Sequence, residues 1–134
     1  MPEKKFKYVS QEWADEVAKR CKKSLTPEKL KKLTSSLLTV YTKCPGGKTR
    51  AIFYKLNNGV VESVSAIEGT LPKAEFTVTA DYDLFAKISR CEMKARAALM
   101  SGKMTLRGNL VKALTLSPIM DRLNEIIATI PTEF

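Results

Sequence analysis

Apolar residues along this chain fall into two rhythms, and the change from one to the other marks out the elements. Trp13, Val17 and Cys21 recur every fourth residue with Ala14 and Ala18 beside them, while Lys19, Arg20, Lys22 and Lys23 point elsewhere; this predicts a helix with Ser10 as its N-cap. Thr26-Pro27-Glu28 predicts a second, short helix made very basic by Lys29, Lys31 and Lys32. The rhythm then changes. Leu37, Leu38, Val40 and Tyr41 predict a strand, Cys44-Pro45-Gly46-Gly47 a turn, and Thr49 to Leu56 a second strand with Ile52, Phe53 and Tyr54 at its centre. Asn57-Asn58-Gly59 is a hairpin signal, because Asn and Gly tolerate the positive φ of tight primed turns. Val60, Val61, Val64, Ala66 and Ile67 predict the return strand. After a turn at Gly69-Thr70-Leu71-Pro72, Ala74, Phe76, Val78 and Ala80 alternate with Glu75, Thr77 and Thr79, so this strand should have one dry face and one wet face.

Helical spacing returns at Asp81. The carboxylates of Asp81 and Asp83 stand where they can cap a helix whose buried stripe is Leu84, Phe85 and Ile88. Ala95 to Met100 predict another short helix, closed by Ser101-Gly102. Ser101 to Asn109 then reads as a single strand between two glycines, with Met104 and Leu106 on one side and Lys103, Thr105 and Arg107 on the other. Asn109 can cap the next helix. Leu116, Ile119, Met120, Leu123, Ile126, Ile127 and Ile130 make a broad apolar stripe interrupted by Pro118. Either Ser117 caps a new helix with Pro118 at its first position, or one helix is kinked there; the new start is the preferred reading.

The order from Thr79 to Leu123 resembles the sterol carrier protein 2 (SCP-2) lipid-binding family. There an acidic pair opens a helix and a later Gly-Lys-hydrophobic-x-hydrophobic-x-Gly-Asn/Asp strand leads into an apolar helix; here these are Asp81 and Asp83, then Gly102-Lys103-Met104-Thr105-Leu106-Arg107-Gly108-Asn109. Motifs carry the likeness over roughly the C-terminal half, and element order carries it over the rest. Cys91 departs from the pattern, standing where the family commonly has a glycine that ends the helix. The resemblance implies a single α+β domain over residues 1–134, with a five-stranded, mainly antiparallel sheet covered by helices and a hydrophobic tunnel between them. It also implies binding, without chemical transformation, of a fatty acid, fatty acyl-CoA or sterol-like lipid, with no cofactor. The residues expected to line such a tunnel are Trp13, Val17, Phe53, Val64, Phe76, Val78, Phe85, Met100, Met104, Leu106, Leu116, Ile119, Met120, Leu123 and Ile127. Taken singly, each is better explained as filling an ordinary core, and only the resemblance makes them a tunnel lining. Methionines 93, 100, 104 and 120 add flexible, polarizable side chains that suit a cavity wall.

Composition narrows the rest. In 134 residues, 44% hydrophobic and 28% charged, the chain has the make-up of a globular domain, and no apolar run approaches the ~20 residues of a membrane span. No apolar segment of a secretory signal and no Ser-Lys-Leu ending is seen, so a cytoplasmic location is expected. Cys21, Cys44 and Cys91 are few and scattered, which favours free thiols. The net charge of +9 is concentrated early, at Lys4, Lys5, Lys7, Lys19, Lys22, Lys23, Lys29, Lys31 and Lys32. That is either a solvated face or a surface for anionic membrane lipid or acyl-CoA phosphates. Nucleic acid is not expected, because Phe53, Phe76 and Phe85 sit on stripes that read as buried rather than among exposed basic groups.

The absence of histidine removes most Ser-His and Cys-His schemes. Residues two apart on a helix do not face each other, so capping explains Asp81 and Asp83 better than acid-base work. Gly47-Lys48-Thr49 fails as a phosphate loop: position 42 is Thr42 and a strand follows. A thioesterase using Cys91 lacks an activating base. The rival to a lipid carrier, acting as monomer or homodimer, is an accessory or dimerisation module with a filled core, packed against itself or a partner enzyme.

Overall fold

The computed structural model describes residues 5–26, 28, 32–44, 46–47 and 49–133. In chain order the elements are β1 (Phe6–Lys7), α1 (Gln11–Ser24), β2 (Ser35–Thr42), β3 (Arg50–Asn57), β4 (Val60–Ile67), β5 (Phe76–Asp81), α2 (Tyr82–Ser89), α3 (Ala95–Met100), β6 (Thr105–Arg107), α4 (Leu110–Thr115), α5 (Ser117–Ala128) and β7 (Thr132–Glu133). The short helix expected at Thr26-Pro27-Glu28, with Lys29 and Lys31, falls largely outside the described residues, as does Lys4.

Five strands form one mixed sheet in the order β4-β3-β2-β5-β6. The β3–β4 hairpin closes through Asn58 (φ 50°) and Gly59 (φ 77°), the two positive dihedrals its tight turn demands. Every pairing in this sheet is antiparallel except β2 with β5, where Leu37 meets Phe76 and Tyr41 meets Ala80. The α+β class and the mainly antiparallel five-stranded sheet are as expected. A parallel pair needs a crossover, and segment 68–75 supplies it. A separate two-stranded ribbon pairs β1 with β7 in parallel, joining residues near both ends of the described chain; nothing in the sequence foretold it.

Because side chains alternate across a strand, register decides which layer each residue joins. Leu37, Thr39 and Tyr41 of β2, Ile52 and Tyr54 of β3, and Phe76, Val78 and Ala80 of β5 share the face that carries the helices. Leu38, Val40 and Ala51 are buried on the opposite face, with Phe53, Ile67 and Ala74 packed against them.

The caps are met at two of the helices. Ser10 Oγ accepts the Trp13 N–H at 3.1 Å, and Asn109 Oδ1 accepts the Lys112 N–H at 3.1 Å. Asp81 departs from expectation: it occupies the N-cap position of α2 but makes no side-chain cap bond. Its Cα is still paired with Thr42 on β2, so the carboxylate accepts the Thr42 hydroxyl at 2.8 Å and lies 3.8 Å from Lys43 Nζ. Asp83 sits in the first turn of α2, where it complements the dipole. The strand expected from Ser101 to Asn109 shrinks to β6, since Lys103 and Met104 spend their N–H groups on the Ala98 carbonyl that closes α3. At the proline the chain does start a new helix, with Leu116 rather than Ser117 as the N-cap.

Cys91 adopts φ 60°, the left-handed conformation its glycine-like position requires. Its N–H reaches Ile88 O at 3.0 Å and the Glu92 N–H reaches Lys87 O at 2.9 Å, the paired bonds of a Schellman ending for α2. A Cβ in that conformation costs energy that glycine does not. Cys91→Gly is therefore expected to stabilise the fold by about 1 kcal/mol, less the larger unfolded-state entropy of glycine, read as a higher urea midpoint. A lower midpoint would mean that the Cys91 side chain, whose thiol lies 3.9 Å from Asn124 O on α5, holds the two helices together more strongly than its backbone resists.

Candidate functional site: an apolar cavity between sheet and helices

Between the helix-bearing face of the sheet and α2, α3, α4 and α5 lies a cavity of about 140 Å³. Its floor is the alternating set from β2, β3 and β5. Its roof comes from Phe85 and Ile88 of α2, Leu99 of α3, Ala113 of α4, and the α5 stripe that begins at Ile119. The roof follows from helical spacing, because Ile119, Leu123 and Ile127 recur every fourth residue and all three are buried.

Ten of the residues expected from the sequence line this space: Phe76, Val78, Phe85, Met104, Leu106, Leu116, Ile119, Met120, Leu123 and Ile127. Trp13, Val17, Phe53, Val64 and Met100 do not. Trp13 and Val17 are the buried stripe of α1, both 0% exposed, and Val64 is core on β4. Phe53 lies on the other face of the sheet beside Leu38, because the β2–β3 register pairs those two residues and leaves the cavity face to Ile52 and Tyr54. Met100 is 68% exposed at the end of α3.

Sequence reasoning passed over a polar part of the lining. Thr39, Tyr41, Tyr54 and Ser89 all border the cavity. The Thr39 hydroxyl donates to Ile52 O at 3.2 Å and lies 3.4 Å from Tyr41 Oη, while Tyr8 Oη and Ser89 Oγ share a bond of 2.6 Å. Tyr8 is the hub of the aromatic packing, its ring edge-on to Trp13, Tyr41 and Tyr82 at 5.0, 5.6 and 5.3 Å, with Phe85 a further 4.4 Å from Tyr41. Extending the alternation of β5 across the parallel register to β2 would have found Tyr41 and Thr39; no local signal marks Ser89. At the rim stand Arg96, which is exposed, and half-buried Asp121 and Asn124.

The chemistry available is limited. Burial pushes the Cys21 thiol up to about 12 and raises that of Cys44, so neither is a ready thiolate. Cys91 is exposed, and its thiol faces the backbone carbonyl of Asn124. Among the described residues no group of three or more metal-ligating acid, cysteine or histidine side chains converges.

Burial also raises all four tyrosines: Tyr41 to about 12, Tyr8 and Tyr54 well above 10.0, and Tyr82 in the same direction. For groups whose folded value is raised, the stabilisation is intact below the unfolded value and is lost as pH climbs through the folded one. The folded protein should therefore show little phenolate absorbance near pH 10.0 and lose its structure as pH rises toward 12, whereas the urea-unfolded chain titrates its tyrosines near 10.0. A tyrosine of the folded chain ionising freely at 10.0 would place its hydroxyl in water and break up the aromatic cluster around Tyr8.

Comparison with known proteins agrees with this geometry. No curated protein matches the sequence. Among solved structures, a crystal structure of sterol carrier protein 2 superposes with a TM-score of 0.81 at 20% identity, covering 92% of this chain and 99% of that one. A conserved hypothetical protein from Thermus thermophilus, described as possibly a sterol carrier protein, gives 0.77 at 19% identity over 98% and 94% of the two chains. The palmitated SCP2L2 protein of Aedes aegypti gives 0.60 at 20% identity over 83% and 94%. These likenesses establish the fold. The model of the SCP-2 sterol transfer family matches residues 14–121, and on that match the chain belongs to this family.

Proposed function

We propose that the protein binds a hydrophobic lipid, tail inward, in the cavity between sheet and helices and carries it without altering it. The apolar lining is the observation that carries this reading: apolar side chains, buried or half-buried, from five strands and four helices converge on a space they leave open. Each methylene moved from water into such a lining gains about 0.8 kcal/mol, so a long acyl tail gains around 10 kcal/mol before the costs of ordering are subtracted. The Aedes relative was solved in palmitated form, which supports a fatty acid or fatty acyl tail over a rigid sterol. A cavity of about 140 Å³ accepts part of such a tail as it stands, and the flexible side chains of Met104 and Met120 can shift to admit more. Arg96, exposed and bordering the cavity, can meet a carboxylate or phosphate head, a role that is one of two readings of the early lysines. The absence of histidine and the inert buried thiols favour carriage over catalysis.

The accessory-module reading draws on the exposed apolar side chains Met100, Leu110 and Val111, but the filled core it requires sits poorly with the cavity. Native mass spectrometry of the purified protein, followed by denaturing extraction, separates the two. A co-purified fatty acid or acyl-CoA near one per chain supports carriage. A ligand-free dimer that ignores added fluorescent fatty acid overturns it. Met120→Lys, which puts a charge in the roof, is expected to abolish fatty acid binding while leaving the circular dichroism unchanged; full binding by the folded variant would move the tail away from α5.

A further inference from the structure

The lysine-rich start of the chain is the obvious candidate for contact with an anionic bilayer, but within α1 it lacks a means of insertion. Lys19, Lys22 and Lys23 share α1 with Glu12, Asp15 and Glu16, and the apolar stripe of that helix, Trp13, Ala14, Val17 and Cys21, is wholly buried. A different segment combines charge with exposed apolar groups. Between Glu92 and Asp121 the chain has no carboxylate and five cations: Lys94, Arg96, Lys103, Arg107 and Lys112. Lys112 is paired with Glu75 at 2.6 Å; the other four are exposed and form no ion pair among the described residues.

Of the five large apolar side chains exposed among the described residues, three lie in the same stretch: Met100 at 68%, Leu110 at 50% and Val111 at 75%. β6 is the edge strand of the sheet, α3 leads into it and α4 leaves it, so these residues belong to the elements that flank that edge. The same elements wall the cavity with their inner side chains, Leu99, Met104, Leu106 and Ala113.

We propose that the α3–β6–α4 edge is a membrane-docking face, which sets Leu110, Val111 and Met100 into the headgroup region of an anionic bilayer while Lys94, Arg96, Lys103 and Arg107 meet lipid phosphates. Basic groups flanking a small set of exposed apolar side chains are what a reversible interfacial contact requires, since neither charge nor insertion alone holds a protein at a bilayer surface. An edge used this way brings the cavity wall to the bilayer, so a tail could pass between the two with little exposure to water. That purpose rests on the carrier reading above; the docking itself does not.

The test is co-sedimentation of the full chain with vesicles of phosphatidylserine and phosphatidylcholine in equal parts, beside pure phosphatidylcholine. The wild type should bind the anionic vesicles and release them as salt is raised. The pair Lys103→Glu and Arg107→Glu, and separately Leu110→Ser with Val111→Ser, should each weaken that binding about tenfold. All four positions are exposed, and unchanged binding of fluorescent fatty acid without vesicles, with unchanged circular dichroism, reports that the fold is intact.

Wild-type affinity in both variants overturns the proposal, as does loss of binding only when Lys19, Lys22 and Lys23 are changed to Glu. It falls equally if the wild type ignores anionic vesicles, or if the serine pair merely dissociates a dimer whose vesicle binding is unaffected. Vesicle binding that depends on this edge in a protein that takes up no fatty acid would support the docking face and remove the carrier reading.

Discussion

Strand β2 is apolar on both faces, and the rest of the molecule answers to that. Leu37 and Tyr41 point to one side, Leu38 and Val40 to the other, and all four are buried. A strand of this kind cannot lie at an edge or face water, so it takes the centre of five, with a layer needed on each side. The helices form one layer. The other is thin: Ala74, on the crossover 68–75, packs over Leu38, Val40 and Ala51 with Phe53 and Ile67. Placing that crossover behind the sheet makes β5 parallel to β2 and delivers the chain to α2 on the helical side, so one central strand governs both the topology and the position of the cavity.

What could be read from the sequence was local. The hairpin at Asn58-Gly59, the caps at Ser10 and Asn109 and the stripe of α5 each depend on residues a few positions apart, and each stands where its pattern places it. What escaped depended on partners far along the chain. Phe53 and Tyr54 are neighbours of similar size at the centre of β3, and only the pairing with Leu38 and Leu37 tells which one turns to the cavity. Asp81 looks like a cap by its position, yet the Thr42 hydroxyl, brought beside it by the parallel register, takes its carboxylate. Trp13 and Val17 carry the amphipathic signal of a wall residue, but α1 packs so closely that they became core.

The cavity persists because its neighbours are held by bonds that collapse would break. Tyr41, Tyr54, Thr39 and Ser89 are buried hydroxyl groups, and a buried hydroxyl that loses its partner costs roughly 1–3 kcal/mol. Tyr8 fixes Ser89 on α2 while its ring packs against Trp13 on α1 and Tyr41 on β2. The β1–β7 ribbon, where Tyr8 N–H donates to Glu133 O at 3.0 Å, sets the position of Tyr8 itself. That cluster props α2 at a fixed distance from the sheet, and the space left beside it is bordered by α3, α4 and α5.

Those three helices do not hold equally. α3 is anchored by Ala98 and α5 by Ile119, Leu123 and Ile127, whereas α4 has no buried residue at all. Its entry is a sharp one at Gly108, φ 127°, where any Cβ would lie 2.8 Å from Glu75 O and 2.9 Å from Phe76 Cδ1. Its exit is the break at Leu116. Between them Ala113 packs against the core, and Lys112 bonds Glu75 and hangs over the Phe76 ring at 5.9 Å. An exposed pair of this kind contributes at most about 1 kcal/mol and is weakened by salt or by competing phosphates. An element with few buried contacts opens at lower cost than the core around it. The wall of the cavity with no buried residue of its own is thus the one beside Leu110, Val111 and the cations that form no ion pair among the described residues, and a bilayer engaging that edge would act on an element of few buried contacts.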